Sequence, residues 1–397
     1  MLLIVFTFTF AFFILTTNYF NIDLETFIVA KSEGVSDVEI NASVSDVLEE
    51  IDFSELENII HENPYFEEIF DGDDLKTIIK RIVAGEVVLS FDTLWNVVLQ
   101  YLKEVFFQIL SPLLVVLVII LLCNVFNNLK SKSISGVGNV VYLICLSVVL
   151  IILIYLSANI INSTKNTLLK MQSHMRTIFP ILITLMSLMG GNASVKAYTP
   201  MFTFLSNTIM YVFIYVLLPL FLASFILVVI GNLSENAKLT KLNLFINSLF
   251  KWVVGSVFAV FMSFMAINGI SAAAGDGVSI KAAKYAIKNY VPMLGGYISE
   301  GFELIKAGGL LVKNATGVIS VVFIILNIFS PIVSIALLEL GLKFLAGIVE
   351  PVGDKRSSTV LFGVANSLKL LVVIIVGVSL MFFLTIFLVM CSVSNFL

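Results

Sequence analysis

The chain has 397 residues, of which 59% are hydrophobic and only 13% charged, with a formal net charge of −4. Soluble domains carry about a quarter charged residues, so this composition excludes an ordinary soluble fold. Several apolar runs exceed the roughly 20 residues that cross a bilayer as a helix. The near-neutral total hides an asymmetry. Asp23 to Glu104 holds 20 acidic and 5 basic residues, leaving 7 and 18 for the remainder. An acidic front makes a poor nucleic-acid partner. The expected fold is all-α: a polytopic transmembrane helical bundle with a small extracytoplasmic acidic helical N-terminal region.

Residues 1–20 are apolar and uncharged and read as a signal peptide or an N-terminal anchor, although the usual basic start is missing. Residues 21–103 form the acidic region. Ser54 and Glu57 have capping-box spacing, and that helix is expected to stop near Asn63-Pro64. Asp71-Gly72-Asp73-Asp74 precedes LKTIIKRIVAG, in which Lys80 and Arg81 suit the helix C-terminus and Gly85 suits the C-cap. DGDD lacks the later ligands of a calcium loop. A third helix runs from Ser90 through Trp95 and Tyr101, aromatic residues suited to the membrane interface.

Residues 104–270 are expected to hold the first five transmembrane segments: Val105–Phe126, Gly138–Ile160, a short Ile178–Met189 that is spanning or re-entrant and ends at Gly190-Gly191, Met201–Ile230 kinked at Pro219, and Phe250–Gly269. Residues 271–317 read as a broken amphipathic hairpin. Lys281, Lys284 and Lys288 share one helical face; Pro292, Gly295-Gly296 and Gly308-Gly309 are expected breaks. Residues 318–397 hold the last two segments, Val318–Leu342 and Leu368–Met390. With the acidic front outside, alternation places Lys130 and Lys132 inside, and the hairpin inside as well. It also leaves Lys165, Lys170 and Arg176 outside, against the positive-inside rule.

Asn327, Ser330 and Ser334 form a polar stripe on the sixth segment, and Glu339 and Lys343 have ion-pair spacing. Asn207 and Asn268 read as helix–helix contacts. Cys123, Cys145 and Cys391 lie in apolar runs and read as small buried hydrophobes. His61 and His174 lack partners at metal-ligand spacing. No nucleotide loop, Ser-His-Asp set or metal helix is visible, so no enzyme, cofactor or metal is expected. The candidate conduit or partner-docking residues are Asp276, Lys281, Lys284, Lys288, Pro292, Lys313, Asn314, Asn327, Ser330, Ser334 and Glu339.

Spread over Leu75 to Ser392 are IVAGE, LLPL at Leu217 to Leu220, NLSENAKLTKL at Asn232, DGVSIKAAKYAIKNYVPMLGG at Asp276, LLVKNATG at Leu310, EPVGD at Glu350 and SLMFFL at Ser379. In order and spacing these resemble the stage III sporulation protein AE family of endospore-forming bacteria. The resemblance implies a multi-pass subunit of a secretion-like channel complex linking mother cell and forespore, in the mother-cell (outer forespore) membrane and needed for forespore development. It implies as partners other proteins of the stage III sporulation operon, among them a secretion-type ATPase and ring-forming proteins, and a forespore-side membrane protein. A membrane scaffold that transports nothing, and a stand-alone secondary transporter, are the alternative readings.

Overall fold

The computed structural model describes residues 37–70, 72–86, 91–129, 135–233, 239–290, 295–352 and 355–392, and every regular element among them is helical. The signal-like start, Ser90, Asp71 and Pro292 lie outside the described residues.

Four short helices build the acidic front: α1 (Asp37–Glu50), α2 (Ser54–His61), α3 (Pro64–Ile69) and α4 (Leu75–Val83). Their apolar faces meet in a core of Leu48, Phe53, Leu56, Phe66 and Ile79, each at most 2% exposed. The caps differ from the sequence expectation. Ser54 is the first residue of α2 and makes no capping box. Asp52 Oδ1 accepts from its backbone N–H at 3.0 Å, and that bond, followed by the Ser54 hydroxyl, holds the Asp52 carboxyl below its usual range. Glu57 reaches away to accept from the free N–H of Leu75 at the start of α4, 3.1 Å. It thereby serves a more distant donor than its own helix offers. Asn63 Oδ1 caps α3 at the Tyr65 N–H, 3.1 Å, with Pro64 in the first turn. Gly85 closes α4 at φ +72°, with Glu86 N–H bonded to the Arg81 carbonyl at 2.9 Å, as its C-cap position predicts.

Six long apolar helices follow, each long enough to cross a membrane. They are α5 (Phe91–Leu129); α6 (Ser135–Leu188); the run opened by α7 (Asn192–Thr203) and closed by α8 (Leu218–Leu233); α9 (Thr240–Tyr290); α10 (Gly295–Val352); and α11 (Lys355–Cys391). Between α7 and α8 lie two π-helical stretches, Phe204–Ile209 and Phe213–Leu217. The second ends just before Pro219, whose ring and missing N–H disfavour a tight turn there.

The expected second segment and the short third segment are one helix. α6 is 54 residues long, about 81 Å at 1.5 Å per residue, far more than a bilayer needs. Its outward face changes chemistry partway. Ile144, Val148, Ile151, Ile154 and Tyr155 are exposed and apolar or interfacial; beyond them Asn159, Asn162, Lys165, Asn166, Lys170, Ser173 and Arg176 are exposed and mainly polar or charged. Ile178, Leu182, Leu185, Met186 and Met189, which made the third segment look membrane-spanning, are buried in protein. The run from Asn192 passes the other way, from exposed Lys196, Thr199 and Thr203 to exposed Tyr215, Leu222, Ile226 and Ile230. The helices therefore continue past the apolar belt into a second, protein-packed layer.

The expected hairpin break at Gly308-Gly309 is also absent: α10 passes through it without interruption for 58 residues. These glycines admit neighbours. A Cβ at Gly308 would lie 2.5 Å from Ser43 Oγ and 3.0 Å from the Ser43 backbone. One at Gly309 would lie 3.0 Å from Met189, and one at Gly317 would lie 2.5 Å from Met390. The missing side chains let α1, the end of α6 and the end of α11 lie against α10.

Joining two segments into one changes the sidedness. The Gly190 turn, the start of α10 and the end of α11 share one end of the bundle, tied by Met189 against Gly309 and by Lys313 at the carbonyls of α11. The acidic front packs there too: Ser43 Oγ donates to the Leu304 carbonyl at 2.8 Å. Placing the front and the 271–317 stretch on opposite sides is thus overturned. The opposite end carries the ends of α5, α8 and α10 and the starts of α6, α9 and α11.

Candidate functional site

Where the front meets the long helices lies a cavity of about 490 Å³. One wall is Asn159, Asn162, Ser163, Asn166 and Thr167 of α6. The second is Leu326, Asn327 and Ser330 of α10. The third is Glu62, Asn63 and Tyr65 of the front. Asn159, Asn162 and Asn166 recur at i, i+3 and i+7, one face of a helix, and meet the stripe of Asn327 and Ser330. Asn327 Nδ2 donates to the Thr167 carbonyl at 3.3 Å, tying the two walls together. Lys170 pairs with Glu62 at 3.6 Å, one member from each layer. The exposed Lys170, awkward for the positive-inside rule, thus has its counter-charge on the acidic front.

Tyr101 seals one edge. Its hydroxyl donates to the Ser330 carbonyl at 3.0 Å and lies 2.6 Å from Ser330 Oγ and 3.3 Å from Ser334 Oγ. Its ring meets Tyr65 edge-on at 5.6 Å and Phe329 at 5.6 Å. Burial, then Tyr101 and the carboxylates of Glu104 and Glu68, pushes the Tyr65 phenol up to about 12.

Above the cavity, Arg176 Nη2 donates to Asn207 Oδ1 at 2.6 Å, and Gln172 Nε2 donates to the Ser206 carbonyl at 2.7 Å. Both acceptors lie in the first π-helical stretch, where altered backbone pairing leaves a carbonyl for a side chain to satisfy. Asn207 is a helix–helix contact, as its sequence context predicts.

Two other groups of expected residues lie elsewhere. Lys313 is fully buried and donates to the carbonyls of Val389, Met390 and Ser392 at 3.2, 3.0 and 2.5 Å, a charged cap on the end of α11. Asn314 is buried beside it. Glu339 is 2% exposed and pairs through Oε1 with Lys343 and, at 3.6 Å, with Lys369, while its Oε2 is buried with no hydrogen-bond partner. Lys343 and Lys369 are partly exposed, and Lys369 was missed because it belongs to another helix. Asp276, Lys281, Lys284 and Lys288 lie on α9; their side chains, and that of Asn268, are outside the described residues.

Cys123 and Cys145 form a disulfide between α5 and α6, so they are not the separate hydrophobes their surroundings suggest; Cys391 is free. His61 sits between Glu57 at 3.8 Å and Glu67 at 3.3 Å. His174 is fully buried and stacked on Phe323 at 4.3 Å. No group of His, Cys, Asp and Glu among the described residues is arranged to hold a metal.

The profile of the family Stage III sporulation protein AE matches residues 74–393. The Stage III sporulation protein AE of Bacillus subtilis (strain 168) is 28% identical over 255 residues, 63% of this chain and 63% of that protein's length. No solved structure matches the chain. With the family profile covering α4 through the end of α11, this multi-pass chain belongs to the stage III sporulation protein AE family.

Proposed function

We propose that the chain is the integral membrane subunit of a secretion-like channel complex that joins mother cell and forespore. It would sit in the mother-cell (outer forespore) membrane, with the acidic front and the second helical layer between the two membranes. The family membership carries this reading. The architecture supports it: the six apolar helices form a platform, and the end bearing the front extends beyond the apolar belt toward whatever lies across the gap. The sequence between α5 and α6 holds Lys130 and Lys132, that between α8 and α9 holds Lys238, and α11 begins Lys355-Arg356, a basic character that suits the cytoplasm. A cytoplasmic ATPase of the same complex would dock at those connections rather than at the 271–317 stretch. The chain acts here without chemistry of its own: it positions partners and lines a path, and no cofactor enters.

The test is removal and capture. Cells lacking the chain should complete engulfment and then fail to make mature forespores, and a tagged chain should retain the ring-forming proteins and the ATPase through purification. Normal spore yield without the chain would overturn the reading. Capture of the complex, combined with solute exchange that does not depend on the chain, would leave a scaffold that transports nothing.

A further inference from the structure

The Glu339–Lys343–Lys369 cluster lies deep in the apolar belt. Depth is fixed by α5, whose single apolar run, Val105 to Phe126, follows the acidic front. Leu113, near the middle of that run, packs so closely on α10 that a methyl group at Gly341 would overlap it. Residues 339–343 are therefore level with the centre of α5. From there to a bilayer surface is about 15 Å, beyond what a lysine stem covers by snorkelling.

Two ammonium groups surround one carboxylate, so the cluster is net positive. Lys343 and Lys369 are 28% and 38% exposed on the surface of the chain, beside exposed Leu340. Exposure to hydrocarbon is costly for a charged lysine. A neighbouring copy of this chain brings the same positive excess. Among the described residues after Glu104, Glu300 and Glu303 lie in the first three turns of α10, Glu350 lies in its last turn and Asp276 lies on α9 past its apolar stretch, so none of these positions in a copy offers a carboxylate at this depth. Glu339 Oε2 adds a second demand, because a buried carboxylate oxygen without a donor is satisfied by water or a proton. Water at the cluster meets the needs of all three groups.

We propose that this face of α10 and α11 lines a water-filled path through the bilayer in the assembled protein, with Lys343 and Lys369 as its anion-attracting site. The inference rests on the channel reading above and adds where the path runs and which charge it favours. Its ligand class is a small hydrated anion. Glu339 holds both ammonium groups in place, so it is a positioning residue.

Single cysteines at Leu340 and at Asn366, which is part-exposed on α11 one turn before Lys369, placed in the full chain with Cys391→Ser, test this in native membranes. The probes are a negatively and a positively charged methanethiosulfonate of similar size; Leu114→Cys, half-exposed at the same level on α5, is the lipid-facing control. Both test positions should react, the anionic reagent about tenfold faster than the cationic one. Lys369→Gln should bring that ratio toward one. Reaction no faster than at Leu114 would mean that the face meets lipid and would overturn the proposal. Faster reaction with the cationic reagent would overturn its charge preference. Labelling is read on the chain whatever its cellular role, so a dry face would leave the sporulation reading standing, and normal spores without the chain would not change the labelling.

Discussion

At the scale of single residues, the chain uses buried polar groups as joints. Lys313 is the strongest case. Its three carbonyl acceptors are the orphan groups at the end of α11, and no apolar side chain replaces them. Lys313→Met should destabilise the protein by about 3 kcal/mol, since each buried acceptor left unpaired costs about 1–3 kcal/mol. Thermal unfolding in detergent reads this directly, and an unchanged midpoint would contradict it. Gly308 is a joint of the opposite kind. Gly308→Ala drives a methyl group into Ser43, including its backbone, which cannot rotate away. The front should loosen at a cost of about 1–3 kcal/mol. Limited proteolysis should then cut within α1 to α4 while the long helices stay intact. Tyr65 reports the same contact by titration. Its phenol, raised to about 12 from an ordinary value near 10, favours the docked state while neutral. That contribution is full below pH 10 and is lost as pH rises through 12. The difference in phenolate absorbance between the wild type and Tyr65→Phe should rise only near the upper limit; a midpoint near 10 would show Tyr65 undocked.

At the scale of elements, most helices were legible because their signals are local. Gly85 and Gly190 end their helices with positive φ, Asn63-Pro64 separates α2 from α3, and the ion pair of Glu339 and Lys343 follows from spacing alone. What failed depends on partners distant in sequence. Apolar residues 178–189 look the same facing lipid or facing protein, and only their neighbours show that they are packed inside. Gly308-Gly309 reads as a break until Ser43 and Met189 are seen against it. The cavity is half visible in the sequence: the Asn327–Ser330 stripe stands out, while Asn159, Asn162 and Asn166 carry the same spacing within NIINSTKN but straddle the expected end of the second segment at Ile160, so their shared face is hidden. Glu57 could not be paired with Leu75 from sequence, because a capping box was the nearer explanation. The length of α6 is itself testable. Cysteines at Asn162 and Ser173 should react with water-borne reagents, and one at Ile151 should not, if its outward face changes from lipid to water after Tyr155.

At the scale of the whole molecule, six helices long and apolar enough to cross a membrane stand among the described residues where hydropathy leads to seven further segments, and this change of parity orders everything else. It gathers the acidic front, the start of α10 and the end of α11 at one end and leaves the starts of α6, α9 and α11 at the other, each preceded or opened by basic sequence, the charge asymmetry a cytoplasmic membrane imposes. The central claim is this sidedness. Glu55 and Glu303 are exposed at the end that carries the front; Lys241 and Glu350 are exposed at the opposite end. Each is replaced singly by cysteine in a Cys391→Ser background and probed on intact protoplasts with a membrane-impermeant maleimide. Positions 55 and 303 should label without permeabilisation, and positions 241 and 350 only after it. Labelling that separates 55 from 303, with 303 protected alongside 241 and 350, would contradict the account.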